Sequence, residues 1–178
     1  MKKFIFGIAA LVLFSTGCSD DEGSASTGFD SNILVNGIEF TPSANNDVTQ
    51  NVVTSLTEGV NNGEANVRTF HLNKTTTDLS TMEALQFSLI YPVAQSSIDG
   101  TYNLDSEGTI DPNLMAQGMY MLGGTFYSFT GGTITFDDLG GNKFRIEFNS
   151  VVATDIFTSG TKTITGHFEG TFAVTQEN

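Results

Sequence analysis

His167 and Glu169 stand two residues apart in Gly166-His167-Phe168-Glu169, so on a β-strand both side chains leave by the same face. An imidazole beside a carboxylate can begin a metal site, but a catalytic zinc needs three protein ligands. The only other histidine, His71, would have to arrive from a different strand. The expectation for His167 and Glu169 is an exposed pair that bonds to its cross-strand neighbours, with metal ligation the less favoured use.

Carboxylates are plentiful. Asp137-Asp138 lies just ahead of Leu139-Gly140-Gly141, and Asp99, Asp105, Glu107 and Asp111 fall in one loop region. Hard cations such as calcium take roughly 6 to 8 oxygen ligands from flexible loops. Neither stretch has EF-hand or nonapeptide-repeat spacing, and acidic residues commonly open turns. The metal-ligand candidates are thus Asp137, Asp138, His167 and Glu169. No cofactor is expected, and calcium is the one cation the loops would suit.

The sequence holds no G-x-S-x-G elbow, phosphate-binding loop, H-E-x-x-H or dinucleotide fingerprint. With two histidines and a single cysteine, acid–base chemistry would rest on carboxylates or lysine. The expectation is a protein that is not an enzyme.

A different chemistry is open to the aromatic run. Tyr120, Phe126, Tyr127 and Phe129 lie close together, with Met115, Met119 and Met121 beside them. Alternate residues of a strand must face inward, and methionine fills irregular gaps, so most of these belong to a core. Phe126 and Tyr127 are adjacent and cannot share a face of a regular strand. Tyr120, Phe126 and Tyr127 are therefore the candidates for lining an opening or a partner surface.

The elements that must position these groups read as strands. Phe144, Ile146 and Phe148 alternate with Lys143, Arg145, Glu147 and Asn149. Ile164, Gly166, Phe168, Gly170, Phe172 and Val174 fall on one face, with Thr163, Thr165, His167, Glu169 and Thr171 on the other. Period-two alternation of this kind marks half-buried antiparallel strands. Further strands are expected near residues 67–73, 84–91, 100–104, 118–130, 132–138, 142–153 and 162–175, with Gly131-Gly132, Gly140-Gly141 and Ser159-Gly160 between them. His71 alternates with Phe70 and Leu72 and is expected to face outward.

Asn36-Gly37, between Ile33-Leu34-Val35 and Ile38-Glu39-Phe40, predicts a hairpin whose two turn residues take positive φ. Residues 43–66 read as a long loop holding at most a weak strand, and Pro112 to Met115 as one possible helical turn. Two glycines on the inward face of the last strand imply tight curvature. The fold class is all-β: an antiparallel β-sandwich or lipocalin-like barrel of about 8 to 10 strands.

The strongest address lies at the N-terminus. Lys2 and Lys3 precede an uncharged apolar run from Phe4 to Phe14, and Ser15-Thr16-Gly17 then lead into Cys18. This is the order of a secretory leader, and the apolar run is shorter than the roughly 20 residues a membrane-spanning helix needs. Cys18 is the only cysteine, so no disulfide can form within the chain.

Thr16-Gly17-Cys18 resembles the lipobox of bacterial lipoproteins, with Ser15 in place of the usual aliphatic residue. The resemblance implies removal of residues 1–17 and lipidation of Cys18. Ser19-Asp20-Asp21-Glu22 resembles the acidic tag of Bacteroidetes-type surface lipoproteins. The Asn36-Gly37 hairpin and the closing Ile164 to Phe172 strand are similar to the small β-sandwich or lipocalin-like domains those proteins carry. The domain plan is thus a leader (1–17), a lipidated cysteine with a flexible acidic tether (18–31), and one β domain (32–178).

Removing Lys2 and Lys3 with the leader leaves 5 basic against 20 acidic residues, a net charge of −15. That charge opposes nucleic acid and anionic membranes as partners. The expected location is the cell envelope, as an outer-membrane lipoprotein exposed at the surface and held by its lipid. The expected role is non-catalytic binding of a glycan, a small apolar ligand or an envelope protein. The alternative is a structural accessory lipoprotein that acts by docking.

Overall fold

The computed structural model describes residues 29–42, 51–54, 57–59, 63–74, 79–104 and 114–175. Cys18, the leader and most of the tether lie outside them, as do Asp105, Glu107, Asp111 and the expected turn at Pro112. Among the described residues the chain is nearly all strand, with one short 3-10 turn at Leu79–Thr81.

Thirteen strand segments join one sheet. They are β1 (Phe29–Ser31), β2 (Leu34–Val35), β3 (Ile38–Glu39), β4 (Asn51–Thr54), β5 (Thr57–Gly59), β6 (Ala65–Lys74), β7 (Glu83–Pro92), β8 (Gly100–Leu104), β9 (Met115–Leu122), β10 (Thr125–Asp138), β11 (Lys143–Asp155), β12 (Thr161–Thr171) and β13 (Ala173–Thr175). Neighbours run in the order β13-β4-β6-β7-β9-β8-β10-β11-β12-β2-β3, with β9 also pairing β10, β1 pairing β12 and β5 pairing β6. Most pairs are antiparallel; β13 with β4 and β8 with β9 are parallel. The ladder does not close on itself, but β13 follows β12 after Phe172 alone, so the covalent chain links two distant parts of the path.

The sheet curls because its inward rings must meet. Phe70 on β6 lies 4.6 Å from Phe136 on β10, 5.2 Å from Phe144 on β11 and 5.4 Å from Phe172. None of those strands neighbours β6 in the ladder, so these contacts cross the interior. Phe87 likewise meets Phe148 edge-on at 5.7 Å. Offset and edge-to-face ring pairs each add roughly 0.5–1.5 kcal/mol beyond the area they bury. A continuous cluster of buried Phe, Tyr, Leu and Ile side chains fills the space between the walls.

Glycines permit the curvature at defined points. Phe129 and Ile134 both face inward although they stand an odd five positions apart, which a regular strand forbids. The register of β10 shifts twice, between Phe129, Gly131 and Thr133, and Gly132 takes φ 92°. Phe148 and Val151 on β11 need the same correction, supplied beside Ser150 at φ 52°. The two bulges touch: a Cβ on Gly132 would come within 2.5 Å of the Ser150 carbonyl oxygen.

Several expected boundaries move. Residues 118–130 are not one strand, because Gly123 and Gly124 at φ 55° and 85° turn the chain between β9 and β10. Gly131-Gly132 bends β10 instead of ending it. Val174 is exposed and does not share the inward face of Phe172, since the ladder to β11 ends at Thr171 and β13 pairs β4. The stretch expected as a loop with a weak strand holds β4 and β5. The Asn36-Gly37 hairpin is present, with φ 51° and 77°.

Strand polarity defines two ends. The turns at 36–37, 123–124 and 156–160 share one end, here called distal. The described chain enters at Phe29, opposite Gly170, at the other, proximal end, which also holds the 140–142 turn.

Candidate functional site

The distal end collects exposed apolar side chains on three hairpin tips. Ile38 beside the first tip is 74% exposed and Phe157 on the third is 86% exposed, with Ile156, Phe126 and Leu122 also open to solvent. The β11–β12 tip is held in shape. Asp155 is buried, and its carboxylate accepts hydrogen bonds from the Phe157 amide at 2.8 Å and the Thr158 hydroxyl at 2.5 Å. These two bonds, the Thr158 hydroxyl first, hold the Asp155 carboxyl below its usual range. The exposure of Ile156 and Phe157 is therefore built into the turn.

Between the first two tips lies an open cleft of about 280 Å³. Val35, Ile38 and Leu122 give it apolar walls, and Glu83, Tyr120 and Lys162 supply its polar groups. The Tyr120 phenol donates to Glu83 Oε1 at 2.5 Å, while Lys74 Nζ donates to Glu83 Oε2 at 3.3 Å. Burial first, then the bond to Glu83, pushes the Tyr120 phenol far above its usual range. Lys162 sits with its ammonium 5.5 Å from the centre of the Tyr127 ring. No carboxylate among the described residues pairs with it.

Of the three aromatic candidates, Tyr120 and Tyr127 come together, with ring centres 5.8 Å apart. Tyr120 is almost wholly buried and offers the cleft only its bonded edge, while Tyr127 packs on the core. Phe126 takes the opposite face and is 47% exposed, as the adjacency of the two residues requires. Glu83 and Lys162 were not singled out from sequence. Parity on 84–91 already put Glu83 on the face of Leu85 and Phe87, which was the available signal.

The metal-ligand candidates do not converge. His167 Nε2 lies 3.1 Å from Asp30 Oδ2, whereas Glu169 turns to Lys143 at 2.5 Å and Arg145 at 3.7 Å. Asp138 Oδ1 accepts from the Gly140 amide, and the Asp138 amide donates to Asp99 Oδ1. Asp137 is exposed opposite Arg145. Among the described residues no three His, Cys, Asp or Glu side chains form a metal-sized group. His71 faces outward from β6, half-buried, and burial lowers its pKa.

Compared with family models, with curated proteins and with solved structures, the chain matches none.

Proposed function

We propose that the chain is a lipid-anchored envelope protein whose β domain binds a protein partner through its distal end and catalyses nothing. The observation that carries this reading is the apolar rim: Ile38, Leu122, Phe126, Ile156 and Phe157 exposed on three tips of one end. Monomeric proteins rarely leave apolar side chains gathered this way without an interaction to cover them. Aromatic anchors held in a fixed turn are also the side chains that dominate binding energy at protein interfaces.

Two features support the reading further. The interior is packed with buried rings. The chain enters at Phe29, on the end away from the rim. The nine residue steps from Thr161 to Gly170 span about 30 Å, so an anchor at Cys18 would leave the rim pointing away from the membrane.

A photo-crosslinking residue placed at 157, with one at 139 on the proximal end as control, tests this on the full lipidated chain in its own membranes. The expected result is one discrete adduct from position 157, absent from 139 and lost when Ile38→Asp is added. No adduct at 157, or the same adducts from both positions, would sink the reading. An adduct with a second copy of the chain would replace it with self-association.

A further inference from the structure

Arg68 faces into the molecule. Inward residues of β6 alternate through Asn66, Arg68, Phe70 and Leu72, each opposite an inward residue of β7. The guanidinium carbon lies 5.2 Å from the Phe144 ring centre and 6.0 Å from that of Phe70, so two ring faces hold it. Its Nε is buried and has no hydrogen-bond partner.

The absence of a partner is unusual for this chain. Lys74, Lys143 and Arg145 each bond a glutamate, in a sequence with 20 acidic residues. No carboxylate among the described residues pairs with Arg68. Asn66, two residues along the same face, is only 7% exposed, and its Oδ1 is also buried without a partner. Buried polar groups are nearly always bonded, and an orphan costs its full desolvation. Here a donor and an acceptor are orphaned side by side, about 7 Å apart along the strand, and do not satisfy each other.

We propose that Arg68 and Asn66 form a binding site at the proximal mouth for a small sugar acid. The guanidinium fork receives the carboxylate, and the Asn66 amide oxygen receives a ring hydroxyl. The chemistry selects this class in three steps. A guanidinium fork with unused donors prefers a planar carboxylate or a phosphate. A net charge of −13 penalises a dianion more than a monoanion, which favours the carboxylate. Asn66 then asks for a donor several ångströms away on the same molecule, which acetate lacks and a pyranose uronate carries. This site lies at the end opposite the rim and does not depend on partner docking.

The test is thermal unfolding of the full chain titrated separately with glucuronate, glucose, acetate and inorganic phosphate. Glucuronate is expected to raise the Tm saturably, and the other three to do so far less at equal concentration. Arg68→Met keeps an unbranched stem against the Phe144 and Phe70 rings and removes the guanidinium. The same change should weaken glucuronate by roughly ten- to a hundredfold. Arg68→Lys keeps the charge, loses the fork and should weaken it too, which covers a misfolded methionine variant. No response to glucuronate, an equal response to phosphate, or a response unchanged in both variants would overturn the proposal.

Discussion

Tyr120 and Glu83 are diagonal neighbours on the inner face of β9 and β7, and the phenol closes the gap with a 2.5 Å hydrogen bond to Oε1. Leu85, not Glu83, is the register partner of Tyr120. The bond therefore ties the two strands at the distal mouth beyond what the ladder does. It also fixes the carboxylate that lines the cleft.

Tyr120→Phe should leave Glu83 with Lys74 alone. Hydrogen bonds to charged groups contribute roughly 1.5–3 kcal/mol, and a loss of that order is expected. In urea it should appear as a lower midpoint with an unchanged slope. Because the folded phenol titrates above its ordinary value, its contribution is full below about pH 10 and fades as pH rises further. The gap between wild type and variant should narrow there. A gap that stays constant to pH 11 would mean the bond is not what the variant removes.

Gly118 is a site of close approach. A Cβ there would stand 2.6 Å from the Gln86 carbonyl oxygen and 2.7 Å from the Phe129 ring. The ring can shift; the neighbouring backbone cannot shift without breaking the β7–β9 ladder. Gly118→Ala should cost about 1–3 kcal/mol as an overpacked core. Adding Phe129→Leu should recover little of it, because the carbonyl clash remains. Full recovery in the double variant, measured by chemical denaturation, would place the strain on the ring alone.

Much of the wall was legible in sequence, and the reason is parity. Phe144-Ile146-Phe148 and the Asn36-Gly37 hairpin each declare a face or a turn through residues close in the chain. What parity cannot report is where two faces meet. The convergence of Phe70 with Phe136, Phe144 and Phe172 depends on how far the sheet curls, which bulges at Gly132 and Ser150 set through space. Glycine pairs are ambiguous in the same way. Gly123-Gly124 turns the chain and Gly131-Gly132 bends it, yet the dipeptides are identical. The site followed suit: Tyr120 and Tyr127 were visible as aromatics, while the pairing of Tyr120 with Glu83 spans 37 positions. Arg68 shares the parity of Phe70, so its inward direction was readable in principle.

His71 gives the fold a mild acid sensitivity. Burial lowers its pKa in the folded state, so the neutral ring is favoured there and the unfolded chain binds the proton first. Its contribution is complete above the ordinary value near 6.5 and is lost as pH falls below it. The Tm should decline as pH falls below about 6.5, and His71→Gln should flatten that part of the profile. An identical slope in the variant would assign the decline to the carboxylates.

The proposed lipid anchor makes a separate prediction. Cys18→Ala removes the only thiol available for lipidation. The variant should leave the membrane fraction and take up no labelled fatty acid, while the described fold, from Phe29 onward, keeps its Tm. A variant that stays in the membrane would point to a different means of attachment.

Asp155 links stability to the shape of the apolar rim. Its carboxylate bonds the Phe157 amide and the Thr158 hydroxyl, and Asp155 also exchanges backbone bonds with Gly160 and Ser159. Asp155→Ala keeps the backbone bonds and removes the two that shape the tip. The turn should loosen, with faster amide exchange at Phe157 and Thr158 and little change in the β10–β11 ladder. Since the folded carboxyl titrates below its ordinary value, the wild-type advantage should hold above about pH 4 and vanish as pH falls through the folded pKa. If the rim docks a partner through a preformed tip, crosslinking from position 157 should fall in Asp155→Ala even though Ile156 and Phe157 remain. Unchanged crosslinking would show that the partner, and not Asp155, sets the shape of the tip.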